Sequence, residues 1–304
     1  MLKISATNTA LPVAVAANHP IQPLDNGHKA EVLSFLSARP LHTFIKMSWI
    51  YDHGLISHFN RGTFYGCRDS MGRLEGVALI GHITLFEART DSAIAAFAEL
   101  IQSCPSAHAV LGEEDKISKF MTHYEKGGMP PRLVCRELLL EKRTPESLDN
   151  VPSLRLARPD ELELVVSAHA LSAFEESGVN PLDVDPSGFR DRCARRIDRG
   201  RVWLAIEDGR LKFKADVVSD TSDVIYVEGV YVSAEHRGNG YGARCVTQLT
   251  NHLLERTGTV CLLVNQKNVA AQFSYRKAGY KFREYYDTLY LQHRPLAADP
   301  EFVA

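Results

Sequence analysis

The stretch from Val230 to Gly242 constrains this chain more than any other. Val230, Tyr231 and Val232 end an apolar strand, and Ser233 to His236 form a short polar loop. Arg237 and three glycines at alternate positions, Gly238, Gly240 and Gly242, follow at once. Beyond them Ala243, Val246, Leu249, Leu253 and Leu254 recur at helical spacing, so the helix packs by one face. Alternate glycines let the backbone approach a ligand closely and aim several N–H groups at one point. The helix start adds free amides and the positive end of its dipole. A strand, a glycine loop and a helix in this order make a phosphate cradle.

Three ligand patterns compete for such a loop. Gly238, Gly240 and Ala243 satisfy the dinucleotide pattern G-x-G-x-x-A. That pattern wants an apolar strand ending at its first glycine and an acid at the end of the next strand. Here polar Ser233 to Arg237 intervene, and Asn265 stands where the acid belongs. No G-x-x-x-x-G-K-[ST] run occurs, which removes the P-loop. The third pattern is an acyl-CoA loop, and a tight turn without a ligand is the bland alternative.

With 304 residues the chain exceeds what one core usually organises, so two domains are expected. An apolar content of 45% and a charged content of 24% are those of a globular protein. The net charge of −2 gives no footprint for nucleic acid or an anionic membrane. The six cysteines are widely spaced, with no CxxC pair, so reduced thiols in a cytoplasmic protein are expected. No apolar run is long enough for a membrane helix. The segment from Met1 to Ala17 mimics a weak secretory signal, but Pro12 and polar Thr7 to Thr9 break it, and it reads as a strand or tail.

Two hairpins echo each other. Residues 63–80 and 202–218 each read strand, Gly-Arg-Leu turn, strand, with the turns at Gly72-Arg73-Leu74 and Gly209-Arg210-Leu211. In the first half, Val77 to Phe86 runs on towards a helix over 92–103, then a strand over 108–111 and a helix from about Asp115. In the second, helices over about 159–170 and 187–199 precede strands over 202–207, 211–218 and 224–232. After the glycine loop come a strand over 259–264, a helix over 268–278 stopped by Gly279, and strand material over 280–291. Two related α/β units follow, 1–148 and 149–304, with the boundary in the polar stretch Lys142 to Pro152. The first lacks any Arg-x-x-Gly-x-Gly loop.

Val230-x-Val232-x-x-x-x-Arg237-x-x-Gly240-x-Gly242 and Asn268-x-x-Ala271-x-x-x-Tyr275-x-x-x-Gly279-Tyr280 together resemble the GNAT superfamily of N-acetyltransferases. With the preceding hairpin and helices the resemblance extends over about 154–291. The tandem layout resembles members that carry a degenerate GNAT-like first half, an impression to which Glu175, Glu176, Gly178, Pro181 and Asp216 add. The resemblance implies an α/β fold of two GNAT-like units, each a mixed, mostly antiparallel sheet flanked by helices. It implies acetyl or other acyl transfer from acyl-CoA to a primary amine by direct attack. The amides of Arg237, Gly238, Asn239, Gly240, Tyr241 and Gly242 would hold the CoA pyrophosphate. Val230 and Val232 would offer backbone groups to the pantetheine arm, with an N–H near Val230 or Tyr231 as oxyanion donor and Asn268 on the pantetheine amide. Tyr275 would protonate the departing thiolate, since a phenol of pKa about 10 is close to a thiol of about 8.5.

Direct attack needs a neutral amine. Glu228 is the candidate base: strict alternation would put it on one face with Val230 and Val232, in apolar surroundings that favour the protonated acid. Tyr226 with a water chain is the alternative. His236, beside the loop, reads as a surface residue. The acceptor, a small molecule or a protein amine, is expected against the first two helices, with Phe174, Glu175 and Glu176 as contacts. Arginines 190, 192, 195, 196 and 199 are expected to pair with nearby acids or face water. His42, Trp49, His53 and His58 fit no metal motif, and no metal is expected. A non-catalytic acyl-CoA sensor remains the competing function, with a dinucleotide-binding protein behind it. Acyl length and oligomeric state, a homodimer included, stay open.

Overall fold

The structure is a computed structural model that describes residues 21–147 and 149–292, with only the backbone for Glu176 and Ser177. The signal-like segment lies outside the described residues. In chain order the elements of the first half are β1 (Ile21–Pro23), α1 (Lys29–Ser37), α2 (Pro40–His53), β2 (Gly62–Arg68), β3 (Leu74–Gly81), β4 (Ile83–Ala88), α3 (Asp91–Gln102), β5 (Ala109–Glu113), α4 (Glu114–Tyr124) and β6 (Leu133–Lys142). The second half contributes β7 (Leu154–Leu156), α5 (Leu162–Ser177), α6 (Pro181–Val184), α7 (Pro186–Asp198), β8 (Val202–Glu207), β9 (Arg210–Asp220), β10 (Ile225–Val232), α8 (Tyr241–Leu254), β11 (Val260–Asn265), α9 (Val269–Lys277) and β12 (Lys281–Tyr290). The class is the expected one, mostly antiparallel sheet flanked by helices.

The chain forms two compact units, and they are not the contiguous halves 1–148 and 149–304. The first takes the described part of Met1–Leu36, Asp52–Val134 and the described part of Asp287–Ala304; the second takes Ser37–Tyr51 and Cys135–Tyr286. The physical reason lies in strand pairing. Strand β6 runs antiparallel to β11, from Val260↔Lys142 to Asn265↔Glu137, so it belongs to the second unit. The end of β12 belongs to the first unit, where Leu289 and Leu291 are buried and the Leu291 amide donates to the His108 carbonyl. Helix α2 belongs mainly to the second unit too. The Ser219 hydroxyl donates to the Phe44 carbonyl at 2.8 Å, and the Phe44 ring meets Tyr226 at 4.9 Å.

In the first unit β1, β2, β3 and β4 are successive antiparallel neighbours, and β4 runs parallel to β5. The expected single run from Val77 to Phe86 is two strands. Gly62 and Gly81 face each other, and the His82 amide donates to the Arg61 carbonyl, so the chain reverses at Gly81. Helices α3 and α4 close the core with Phe97, Ile101, Phe120 and Tyr124 against Phe86. The recorded pairing of β4 with β5 ends at Leu85↔Leu111. Just past that point the buried Lys116 ammonium donates to Glu87 and pairs with Glu113, each at 2.8 Å. One cation at the start of α4 thus ties the ends of two strands together where their pairing stops.

In the second unit the sheet order is β6-β11-β10-β9-β8-β7, antiparallel except for β10 with β11. Alternation along β9 separates two layers. Phe213, Ala215 and Val217 join Tyr241, Cys245, Val246 and Leu249 of α8 in the main core. Lys214 and Asp216 face the other way, towards α5 and α7, which pack through Val166, Ala170, Phe189, Cys193 and Ile197. All six cysteines are free thiols.

Lys116→Met removes the cation that the two buried carboxylates Glu87 and Glu113 share. It is expected to lower stability by about 3–5 kcal/mol, the cost of breaking a buried ion pair from one side. Chemical denaturation read by circular dichroism checks this; a change below about 1 kcal/mol means that the clasp is not holding the strand ends.

Candidate active site

The site is built where β10 and β11 stop pairing. Their parallel register is Ile225↔Val260 and Tyr226↔Cys261, and no further pair is recorded, although the strands run on to Val232 and Asn265. A short 3-10 turn at Ala234–His236 then leads to the glycine loop. Gly238 and Gly240 take φ of +78° and +82°, the left-handed region that excludes most side chains. At Gly242 an added Cβ would lie 2.9 Å from a Val232 methyl, so the loop can return against its own strand only without a side chain there. Helix α8 starts at Tyr241 with no side-chain cap from Gly240. Its amides and dipole therefore face the loop uncapped, apart from the Tyr241 N–H, which donates to the Asn239 side chain at 3.0 Å.

The residues expected around the cofactor divide accordingly. Arg237 donates through Nε to the Val232 carbonyl at 2.9 Å and fastens the loop to the strand end. The Tyr241 ring is buried, and its hydroxyl donates to Glu207, so that residue offers the loop only backbone. His236 braces the loop through its Nδ1 contact with the Ser233 hydroxyl at 2.9 Å. Asn268 caps α9, its Oδ1 accepting from the Ala271 amide at 3.0 Å, which leaves its amide nitrogen for other partners. Val230, Val232, Tyr241 and Tyr275 meet in one core cluster with Tyr280. Tyr275 is 8% exposed, at the edge of that cluster.

Glu228 is placed differently from the expectation. A bulge on β10 puts three steps, Glu228 to Tyr231, opposite two, Asp216 to Lys214, and Gly229 sits in it with φ +57°. The extra residue breaks the alternation. Glu228 and Tyr231 share the face of Asp216 and Lys214, while Val230 and Val232 turn to the α8 side. Nor are its surroundings apolar: Arg196 lies 3.3 Å away and donates to its carboxylate. Of the two expectations for the arginines, pairing with acids or facing water, Arg196 takes the first, but it reaches inward to the strand carboxylates Glu228 and Asp216 and not to the acids of the loop before its helix. Arg192 pairs with Asp185 as expected.

Around the bulge lies a polar cluster that the sequence reading did not assemble. Asp216 Oδ2 accepts from Lys214 Nζ at 2.6 Å and Arg196 at 2.9 Å, and lies 3.0 Å from His169 Nδ1. Lys214 is fully buried, 2.8 Å from His169 Nδ1. Burial alone would push the Asp216 carboxyl up, but Lys214, the His169 contact and Arg196 together hold it well below the usual carboxylate range. His169 is pushed below its ordinary value, first by burial and then by the Lys214 charge, so the neutral imidazole is favoured. The missed signal is the alternation Lys212, Lys214, Asp216, which looks like a solvated strand face until two helices cover it.

On α5, Phe174 and Glu175 are exposed near the helix end, and no described contact joins them to this cluster. The side chain of Glu176 lies outside the described residues. Among the described residues no group of three His, Cys, Asp or Glu could hold a metal ion, and no helix is long and apolar enough to cross a membrane.

Residues 169–280 match the model of the acetyltransferase (GNAT) family, which covers the bulge, the loop, α8 and α9. A search of curated proteins finds no match. Among solved structures, a tandem GNAT protein from the clavulanic acid biosynthesis pathway superposes with a TM-score of 0.57 at 13% identity, over 90% of this chain and 99% of its own. A GNAT-family acetyltransferase from Colwellia psychrerythraea gives 0.55 at 12% identity over 90% and 99%. A GCN5-related N-acetyltransferase from Sphaerobacter thermophilus gives 0.55 at 13% over 94% and 100%. At such identities these likenesses bear on the fold, which is that of tandem GNAT proteins.

A Cβ on Gly229 would lie 3.0 Å from Lys214 Nζ, in a left-handed conformation. Gly209 has φ +70° and nothing within 4 Å of its added Cβ. Gly209→Ala is expected to cost about 1 kcal/mol for the backbone alone, and Gly229→Ala about 2–3 kcal/mol because the ion cluster must shift as well. Denaturation midpoints of the two variants test this, and equal losses would mean that the bulge and the cluster are not coupled.

Proposed function

We propose that this chain, which carries a GNAT-family acetyltransferase domain over 169–280, transfers an acetyl or other acyl group from acyl-CoA to a primary amine. The observation that carries the reading is the second unit's parting of β10 from β11, followed directly by the uncapped start of α8 and its left-handed glycines. A pyrophosphate at that helix start meets backbone amides of residues 237–242 and the positive end of the dipole. Lys277, whose ammonium lies 3.2 Å from the position of an added Gly240 Cβ, supplies a positive charge beside the same loop. The pantetheine arm then runs between the parted strands, bonded to the backbone of Val230 and Val232 as an added strand would be. The Asn268 amide nitrogen bonds the arm from the other side.

In this reading the Val230 or Tyr231 amide stabilises the oxyanion as the amine attacks the thioester. Tyr275 protonates the thiolate, supported by its place in one cluster with Val230 and Val232. Glu228, at the bulge and paired with Arg196, steadies the incoming ammonium. The acceptor lies against the end of α5 and the loop 180–186, with Phe174 and Glu175 exposed beside it. The acyl-CoA site is assigned to the second unit alone, because in the first β4 leads into α3 through a turn without the glycine loop and Lys116 pairs with Glu87 and Glu113 where β4 and β5 end. Free thiols agree with a cytoplasmic enzyme.

Acetyl-CoA is expected to raise the melting temperature of the protein, whereas NAD(H) leaves it unchanged. Thiol release from acetyl-CoA, followed over a panel of primary amines, then separates an enzyme from a sensor, which would be stabilised yet release no thiol. Tyr275→Phe is expected to slow release about 10²-fold with the thermal shift intact. Full activity in that variant removes Tyr275 as the acid.

A further inference from the structure

We propose that His169, held by Asp216, is the general base that takes the acceptor's proton, an inference that rests on the acyl-transfer reading above. His169 stands on α5 over the bulge of β10. Its Nδ1 lies 3.6 Å from the position of an added Gly229 Cβ, which puts the ring beside the Gly229–Val230 peptide, where the oxyanion is stabilised. Nδ1 lies 3.0 Å from Asp216 Oδ2, and Phe189 packs against the ring at 5.2 Å. The side chain is 18% exposed, and among the described residues Nε2 makes no recorded hydrogen bond. A base needs an open nitrogen on an oriented ring, and these contacts supply both.

One nitrogen cannot serve two neighbours at once. Nδ1 lies between Lys214 Nζ, which only donates, and Asp216 Oδ2, which only accepts. Lys214 already donates to Asp216 at 2.6 Å and reaches the Gly229 carbonyl at 3.4 Å. The ammonium has three hydrogens, and Asp216 and the Gly229 carbonyl account for two. Were the third given to Nδ1, the ring hydrogen would sit on Nε2; in the proposed tautomer it sits on Nδ1 and is donated to Asp216, which leaves the Nε2 lone pair bare. Asp216 then orients the ring and stabilises the imidazolium that forms, the division of labour of an aspartate–histidine pair. Burial and Lys214 keep the imidazole neutral at rest, ready to accept. Glu228 is less suited, because the Arg196 guanidinium occupies its carboxylate.

The step balances. Of the three protons on an acceptor ammonium, His169 Nε2 takes one. The nitrogen lone pair then forms the N–C bond, and the carbonyl pair moves to oxygen and returns as the C–S bond breaks. The sulfur takes a proton from Tyr275, which recovers one from the nitrogen. The amide keeps the third, and the imidazolium releases its proton to water. The charged groups acting on His169 are Asp216 and Lys214 from β9 and Arg196 from α7; behind them Cys193 of α7 and Glu228 of β10 interact with Arg196, so the pH profile belongs to this coupled set.

Two measurements on the full chain test the assignment. In protein labelled with ¹⁵N-histidine, the long-range ¹H–¹⁵N signal lost in His169→Asn identifies this ring; at pH 7 it should show Nδ1–H and a bare Nε2. A hydrogen on Nε2 overturns the proposal whether or not an acceptor is found. With an amine from the panel, His169→Asn should release thiol about 10²–10³-fold more slowly while acetyl-CoA still raises the melting temperature. It should also lose the acid limb of the wild-type profile, in which the rate rises with pH and levels off below the ordinary histidine value; Glu228→Gln should keep that limb. An unchanged rate in His169→Asn overturns the base assignment, whereas thiol release by no amine overturns the acyl-transfer reading on which it rests. Failure of acetyl-CoA to stabilise the wild type likewise overturns that underlying reading.

Discussion

The second unit is organised around a buried ion cluster, and its centre is the 2.6 Å contact between Lys214 and Asp216 on β9. Charges removed from water are costly unless paired and hydrogen-bonded. Every neighbour of this pair satisfies that requirement in part: His169 from α5, Arg196 from α7 and the Gly229 carbonyl from β10. The cluster therefore sets where both helices can lie on the sheet, because moving either would strand a charge. It also fixes the bulge, since the Lys214 ammonium fills the space beside Gly229 that a side chain would need. Asp216 Oδ1 is left without a recorded hydrogen-bond partner, so the carboxylate keeps one acceptor position in reserve.

The glycine loop is a problem of a different kind, solved by backbone alone. Its side chains are spent on the protein: Arg237 on the Val232 carbonyl, Asn239 on the Tyr241 amide, and the Tyr241 hydroxyl on Glu207. What remains towards solvent is peptide N–H and dipole. In the proposed reaction the loop reads an anion by its charge and shape, while the cluster one bulge away handles the proton. The two functions are separated by the thickness of the sheet, because the parity switch at Gly229 turns Val230 and Val232 one way and Glu228 the other.

The loop was legible in the sequence because glycines with positive φ are a local requirement that nothing distant can replace. So were most helices and strands of the second unit, down to the stop at Gly279, where φ is +84°. Face assignment along β10 was not legible. Alternation holds only in an unbroken strand, and neither Glu228 nor Val230 announces the extra residue between them. The partner of β6 was hidden for a similar reason: an apolar run such as Leu138 to Leu140 suits any buried strand position, and pairing is decided by the whole sheet. The role of Arg196 was missed because helical periodicity gives a residue's face but not what covers it.

The exchange of strands has a temporal side. Leu289 and Leu291, which lie in the first unit's core, are synthesised only after all of the second unit's elements. The sheet of β1 to β5 must wait on the ribosome without the strand end that completes it, holding apolar surface open throughout. The second unit can draw on β6 from the outset, since that strand is made before the rest of its sheet. Synthesis thus favours a chain in which the second unit closes first and the first unit, without a glycine loop, closes last.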